Sequence, residues 1–174
     1  MKYILAIDPG TKYSAYALID NDYRPIRCGK VENHEMIKII KQEIVPVTSK
    51  DEVYTVIEMV ASYGMAVGQT VFDTCVWIGM FYAISPFVSL MLRVNVKMNL
   101  CKMSKAKDAN IKQALVDRFA KGIPNDGKGT KKDPGWFYGF KADIWQAYAL
   151  AVTFKDLGVG CKDTYKLEGE YKNE

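Results

Sequence analysis

The order of its hydrophobic runs most constrains what this chain can fold into. Three runs of strand character come first, at residues 3–8, 12–20 and about 24–32, and turn residues such as Pro9-Gly10 separate them. Strands that follow one another so closely predict an antiparallel meander. The hydrophobic spacing then changes from two residues to 3.6, and helices alternate with strands. This order predicts an α/β fold in which helices cover a mixed sheet.

The later elements follow from hydrophobic spacing and from residues that begin or end helices. Asn33 is predicted to cap a helix that runs to about residue 45. The pattern then predicts, in order, a strand at 53–60, an apolar helix around 69–84, a strand at about 88–100, a basic amphipathic helix from Ser104 and a helix from about 142 to 156. Periodicity is lost near the end of the chain, so we expect one domain over residues 1–157 and a loose, charged tail over residues 158–174.

Composition is consistent with one globular domain and argues against several kinds of site. The 174 residues are 49% hydrophobic and 25% charged, and a net charge of +4 permits a nucleic-acid partner without requiring one. The four cysteines form no C-x-x-C pair and the chain has a single histidine, so a zinc site, a thiol-redox motif and a disulfide framework are poorly supported. A reducing cytoplasm suits such cysteines best.

Residues 74–92 carry no charge and have the length of a membrane span. Ser85 and Pro86 interrupt this run near its middle, and no basic cluster accompanies it. We therefore expect a helix followed by a strand in the core of a soluble protein. The helix at about 74–84 is our candidate for a dimer interface, and it could equally pack within one subunit.

Three acidic residues stand in hydrophobic surroundings in three separate elements. Asp8 ends the first apolar run, Glu58 lies inside VYTVIEMV, and Asp143 lies in FKADIWQAYALAV on the apolar side of the last helix. Carboxylates that converge in a dry site repel one another unless cations neutralise them. Hard oxygen ligands of this kind suit Mg²⁺ or Mn²⁺.

Each acid also has an ordinary structural explanation. Asp8 beside Pro-Gly can simply begin a turn, and Glu58 can point outward from a half-exposed strand. Asp143 with Gln146 three residues later is typical of a capping box at a helix start. These explanations give the three acids no common cause, whereas a shared metal site explains all of them.

These motifs resemble the RuvC-like Holliday junction resolvases of the ribonuclease H-like superfamily. The resemblance rests on ILAIDPGTKYSAYALID, on the Glu that ends a strand in VIEMV, on the GQ-x-x-F region that follows and on KADIWQAYALAV. It spans roughly residues 3 to 155 in the family's order. It implies a ribonuclease H-like fold with a mixed five-stranded sheet flanked by helices, and a role in DNA recombination and repair.

The resemblance implies Asp8, Glu58 and Asp143 as catalytic metal ligands. Such enzymes hold two Mg²⁺ ions, or Mn²⁺ as a substitute, about 3.5–4 Å apart and hydrolyse a phosphodiester by in-line attack. Their substrates are four-way DNA junctions, with forks and flaps as related branches. Because a junction is nearly two-fold symmetric, a homodimer would cut opposing strands.

The chain departs from the family's pattern at two places. The family's fourth acidic position corresponds to Gln146, whose amide oxygen can accept a hydrogen bond or weakly ligate a cation. The position of the family's aromatic wedge, three residues after the Glu, holds Ala61, and the nearest aromatic residue, Tyr63, is the one that we expect to contact DNA. These departures and the short chain resemble the compact bacteriophage branch of the family, which would place the protein in the host cytoplasm.

Two basic regions are predicted to bind DNA. Residues 121–141 combine glycines and aromatic residues with lysines, of which we select Lys128, Lys131, Lys132 and the neighbouring Trp136. The alternative is a solvated loop whose aromatic residues anchor it to the core. A second set includes Lys105 and Lys107, and charge runs of this size are usually solvated faces.

Other interpretations of the same motifs stay open at this point. A branched-DNA-binding protein of this fold could have lost cleavage through Gln146. A ribonuclease H-like enzyme could act on another nucleic acid. Actin-like kinases share the Asp-Gly hairpin, but they need a second similar domain for which 174 residues leave no room.

Overall fold

The computed structural model describes residues 2–44, 46, 52–62, 64, 66–158 and 164–165. Its strands are β1 (Tyr3–Asp8), β2 (Tyr13–Ile19), β3 (Pro25–Glu32), β4 (Val53–Met59), β5 (Val88–Leu92) and β6 (Thr164–Tyr165). Its α-helices are α1 (Asn33–Lys38), α2 (Gln69–Ile84), α3 (Arg93–Cys101), α4 (Asp108–Phe119) and α5 (Ile144–Leu157). A π-helical segment, Ile39–Ile44, continues α1.

The strands form one mixed sheet in the order β3-β2-β1-β4-β5-β6. The β1–β2 and β2–β3 pairs are antiparallel, which confirms the predicted meander, and the β1–β4 and β4–β5 pairs are parallel. The five predicted strands are therefore present, with helices on both faces. Two residues of the predicted tail add the short strand β6 against β5, and most of that tail lies outside the described residues.

A hydrophobic layer covers each face of the sheet. On β1, Ile4 and Ala6 face α5, while Leu5 and Ile7 face α1, the π-helical segment and α2. Both sets are buried because β1 is central, so the strand is apolar on both sides. A charge placed at the end of such a strand is held beside the core, which is where Asp8 lies.

The second half of the predicted strand at 88–100 is wrong. The strand ends at Leu92, and residues 93–101 form α3. Val96 is buried and Leu100 packs beside it against the core, a four-residue spacing that fits one face of a helix. The β-branched residues of this segment suggested a strand, but packing against α5 and α4 decides for a helix.

Asn33 does not cap α1 as predicted, because its side chain makes other bonds. Its Oδ1 accepts a hydrogen bond from the buried Ser14 hydroxyl at 2.6 Å, and its Nδ2 donates to the Gly10 carbonyl at 2.9 Å. A Cβ at Gly10 would lie 2.4 Å from the Tyr13 carbonyl oxygen, so this turn requires glycine. Together these contacts fix the turn that directly follows Asp8.

The remaining boundaries differ less. The basic helix begins at Asp108 rather than Ser104, and the last helix occupies Ile144–Leu157. The apolar helix begins and ends where the sequence predicts, at Gln69 and Ile84. Within the described ranges, none of the helices combines the length and the apolar character that crossing a membrane requires.

Candidate active site

The three predicted acids meet at one end of the sheet. Ile7 of β1 is paired with Ile57 of the parallel strand β4, so the next residues, Asp8 and Glu58, lie side by side at the carboxyl ends of these strands. Asp143 immediately precedes α5, which packs over β1 and β2. The charges of Glu58 and Asp143 both act on Asp8. The sheet and the last helix thus bring together residues from three distant parts of the chain.

The ionisation of Asp8 reflects this crowding. Burial, followed by the negative charge of Glu58, raises the pKa of Asp8 to about 7, although Arg93 opposes this effect. Burial also raises the pKa of Glu58, again against the opposing charge of Arg93. In the absence of another cation, Asp8 therefore retains its proton to a much higher pH than an ordinary aspartate does.

A lysine that the sequence analysis missed accompanies Asp143. Lys30 of β3 lies opposite Ala15 of β2, and Ala15 in turn lies opposite Asp8 of β1. The three residues therefore form a row across the sheet. The Lys30 ammonium group donates a hydrogen bond to Asp143 Oδ2. A lysine between Gly29 and Val31 in a strand was a weak signal, because its partner is more than a hundred residues away in sequence.

An arginine that the sequence analysis also missed accompanies Glu58. Arg93 Nη1 donates to both Glu58 oxygens, at 3.1 and 3.3 Å, and Nη2 donates to Asp108 Oδ1 at 2.7 Å. A signal was present, since Arg93 is the first charged residue after the uncharged run 74–92. Like Asp8, it stands where an apolar strand ends at the edge of the core.

Asp143 does not form the capping box that its ordinary explanation required. It occupies the N-cap position of α5, but its side chain makes no capping hydrogen bond and pairs with Lys30 instead. The preceding Ala142 has a φ of +33°, a backbone conformation that is costly for a residue other than glycine. The turn into α5 therefore positions Asp143 toward the other acids at a cost in backbone strain.

Gln146, which the resemblance assigns to the family's fourth acidic position, is 7% exposed. Its Oε1 is buried and has no hydrogen-bond partner among the described residues. A buried amide oxygen without a donor is costly, and a cation or a bound donor would satisfy it. Gln146 and Asp143 line a cleft of about 360 Å³ together with Asp108, Lys112, Lys128 and Lys141.

The oxygen donors fit a divalent cation chemically, but cationic side chains already hold two of them. Within the described ranges, no three acidic, histidine or cysteine side chains are arranged to hold one ion. Glu58 and Asp143 are turned to Arg93 and Lys30. Metal binding would therefore require at least one of these pairs to open.

The predicted DNA-binding lysines lie in the segments directly before and after α4. Lys128 lines the cleft itself, whereas Lys131 and Lys132 are exposed in the same loop between α4 and α5. Lys105 and Lys107 are exposed just before α4, whose first residue, Asp108, bonds to Arg93. All five lysines are therefore accessible to solvent.

The aromatic residues of the same loop mainly anchor it. Phe137 and Phe140 are fully buried, as the structural alternative predicts. Trp136 stacks on Phe119 with ring centroids 5.4 Å apart, and its indole N–H donates to the Tyr148 hydroxyl at 2.9 Å. One face of Trp136 is thus committed to the protein. Tyr63, the other aromatic residue predicted to contact DNA, lies outside the described residues.

Comparisons with known proteins show that the fold of this chain is a known one. No protein-family model matches the chain, and no curated protein sequence does. A structure of Thermus thermophilus RuvC matches with a TM-score of 0.57 at 15% identity, covering 90% of this chain and 97% of RuvC. The fold is RuvC-like. A second structure, T. thermophilus RuvC in complex with Holliday junction substrate, matches with a TM-score of 0.55 at 14% identity, covering 88% and 92% of the two chains.

Proposed function

We propose that this protein is a metal-dependent endonuclease that cleaves Holliday junctions and related branched DNA. The observation that carries the proposal is the convergence of Asp8, Glu58 and Asp143 at one end of a RuvC-like sheet, next to an unsatisfied Gln146 oxygen. The T. thermophilus RuvC structure in complex with Holliday junction substrate supports branched DNA as the substrate class. The proposed cofactor is Mg²⁺, or Mn²⁺ as a substitute, with two ions per site.

The acidic residues hold the cofactor in this proposal. Asp8 is the central ligand, Glu58 and Asp143 lie on either side, and Gln146 Oε1 is an additional neutral oxygen ligand. A divalent cation bound there supplies Lewis-acid activation of water and stabilisation of the leaving oxygen. Asp8 must lose its proton before it can bind the cation. Binding of the cation is therefore favoured as the pH rises through about 7.

The lysines around the cleft bind the DNA backbone. Lys128 contacts phosphate beside the acids, and Lys105, Lys107, Lys131 and Lys132 extend the basic surface on both sides. Trp136 supports this surface by holding the loop against Phe119. A stacking role for Tyr63 remains a prediction.

A homodimer is part of the proposal, with α2 as its interface. Ile78 and Phe81 bury one face of this helix, while Phe72, Val76 and Met80 are exposed at four-residue spacing on another face. A second copy would cover this apolar face and provide the second active site that a two-fold junction requires. Val76→Glu should shift the protein from dimer to monomer in analytical ultracentrifugation, and an unchanged mass would overturn this interface.

The test of the function is cleavage of a synthetic four-way junction beside a fork and a linear duplex, with Mg²⁺ or Mn²⁺. The native protein should make paired, symmetric nicks in the junction. Asp8→Asn should abolish cleavage while binding survives, and Asp117→Asn, which alters an exposed carboxylate on α4, is the matched control. Fork or duplex cleavage that equals junction cleavage would contradict the proposed substrate preference.

A second candidate is a branched-DNA-binding protein without nuclease activity. The pairing of Glu58 with Arg93 and of Asp143 with Lys30, together with Gln146 in place of an acid, favours it. Tight junction binding without cleavage in either metal would decide for this alternative. The bacteriophage-type assignment and a host-cytoplasm location remain hypotheses that neither experiment depends on.

A further inference from the structure

Arg93 connects Glu58, a candidate metal ligand, to a second carboxylate that is not among the candidate ligands. It is the first residue of α3, and its guanidinium lies between Glu58 on β4 and Asp108 at the start of α4. The Glu58 side chain is only 15% exposed, whereas the Asp108 side chain is 68% exposed. One group therefore bridges a buried carboxylate and a solvent-facing one.

The two halves of this bridge use different nitrogens. Nη1 donates to both oxygens of Glu58, and Nη2 donates to Asp108 at 2.7 Å. A cation ligated by Glu58 needs the same oxygen lone pairs and repels the guanidinium, so Arg93 and a cation compete for Glu58. The Asp108 contact involves neither the Glu58 oxygens nor Nη1, and it can persist when the first contact breaks.

We propose that Arg93 exchanges Glu58 for a phosphate of bound nucleic acid when a divalent cation occupies Glu58. This inference rests on the proposed function and adds a substrate-binding residue to it. A guanidinium released from one carboxylate retains donors in a planar fork that matches phosphate oxygens. Asp108, which lines the cleft together with Lys128 and Lys112, holds the freed side chain next to that cleft.

A fixed structural role predicts the opposite behaviour. If Arg93 served only to orient Glu58 for ligation, its removal would weaken cation binding. Removal of Arg93 would then also change the affinity for DNA by the same amount whether or not a cation is present. The exchange predicts stronger cation binding after removal, and a contribution to DNA binding that depends on the cation. Two binding measurements separate these cases without any cleavage assay.

The first measurement is a Mn²⁺ titration of the DNA-free protein by calorimetry. Arg93→Gln should bind Mn²⁺ about tenfold more tightly than the native chain because Glu58 is then free. The matched control is Lys97→Gln, since Lys97 acts on Glu58 through its charge. Affinity that is unchanged, lower or raised no more than in Lys97→Gln would overturn the exchange. Thermal melting verifies that each variant is folded, and Arg93→Lys, which keeps the charge and the competition, should stay close to the native affinity.

The second measurement is the salt dependence of junction binding, in Ca²⁺ and in chelator. Each phosphate contact contributes about 0.9 to the slope of log affinity against log salt. In Ca²⁺ the native slope should exceed that of Arg93→Gln by about one contact, whereas in chelator the two slopes should agree. A difference of equal size in both conditions, or in neither, would overturn the proposal.

The outcomes also distinguish this inference from the proposed function. If Mn²⁺ binding is lost in Asp8→Asn but is equally tight in Arg93→Gln and in the native chain, the metal site is supported and only the exchange is refuted. Absence of Mn²⁺ binding in both the native chain and Arg93→Gln removes the metal site, and with it both the proposed function and the exchange.

Discussion

Replacing Asp8 with asparagine should stabilise the metal-free protein at pH 8. The pKa of Asp8 is 3.8 in its ordinary state and about 7 in the folded chain, because burial and the charge of Glu58 disfavour its ionised form. The folded state therefore binds the Asp8 proton more tightly than the unfolded state does. Its contribution to stability is present at low pH and is lost as the pH rises from about 4 to about 7. The asparagine side chain carries no charge at any pH, so the variant avoids this loss.

The size of the effect follows from this difference in pKa. A shift from 3.8 to about 7 corresponds to about 4 kcal/mol once Asp8 is fully ionised. Between pH 5 and pH 8 the native protein should lose about 2–3 kcal/mol of stability through this group, and the asparagine variant should not. For a chain of this length that difference corresponds to about 5–10 °C in melting temperature. Relief of Glu58, whose pKa burial also raises, adds to the gain.

The assay is thermal and urea denaturation of the native chain, Asp8→Asn and the surface control Asp117→Asn, from pH 5 to pH 8 in chelator. With Mg²⁺ in large excess the stability gap between Asp8→Asn and the native chain should narrow, because a ligand at about a hundred times its dissociation constant stabilises the native chain by about 2.7 kcal/mol. Parallel pH profiles for the native chain and Asp8→Asn, or a less stable variant at pH 8, would refute the reasoning.

Three further changes test packing and hydrogen bonding in other parts of the described chain. Asp156→Asn should lower the free energy of unfolding by about 1–3 kcal/mol at pH 7. Burial alone would raise the pKa of Asp156, but hydrogen bonds, led by that of Arg118, lower it. In urea titrations the loss of stability should therefore shrink as the pH falls through the lowered pKa, and a loss that is independent of pH would contradict this explanation. Phe137→Ala should cost about 3–5 kcal/mol in the same titrations because the ring is fully buried, and a cost below about 1 kcal/mol would show that the loop is not anchored there. Gly129→Ala should weaken junction binding and increase proteolysis of the basic loop. The φ of Gly129 is +66°, and a Cβ there would lie 2.3 Å from the Asp133 carbonyl oxygen. Junction binding and a rate of proteolysis that both equal those of the native chain would contradict this prediction.

Local patterns in the sequence were enough to predict most of the elements and the three acids. The first three strands follow from apolar runs that turn residues separate, and α2 follows from an apolar run that ends at Ser85. Asp8, Glu58 and Asp143 were visible because a charge in an apolar segment is costly and therefore conspicuous. Where local propensity and packing disagreed, as at residues 93–101, packing of Val96 decided for a helix.

The partners of those acids were decided only by the tertiary structure. Lys30 and Asp143 are 113 residues apart, and Arg93 and Glu58 are 35 residues apart, so no periodicity links them. Strand register places Lys30 in line with Asp8, and the order of β4 and β5 places Arg93 beside Glu58. Hydrophobic patterns report which side of an element is buried, because burial depends on the residue itself. Which cation neutralises which acid depends on how the elements pack against one another.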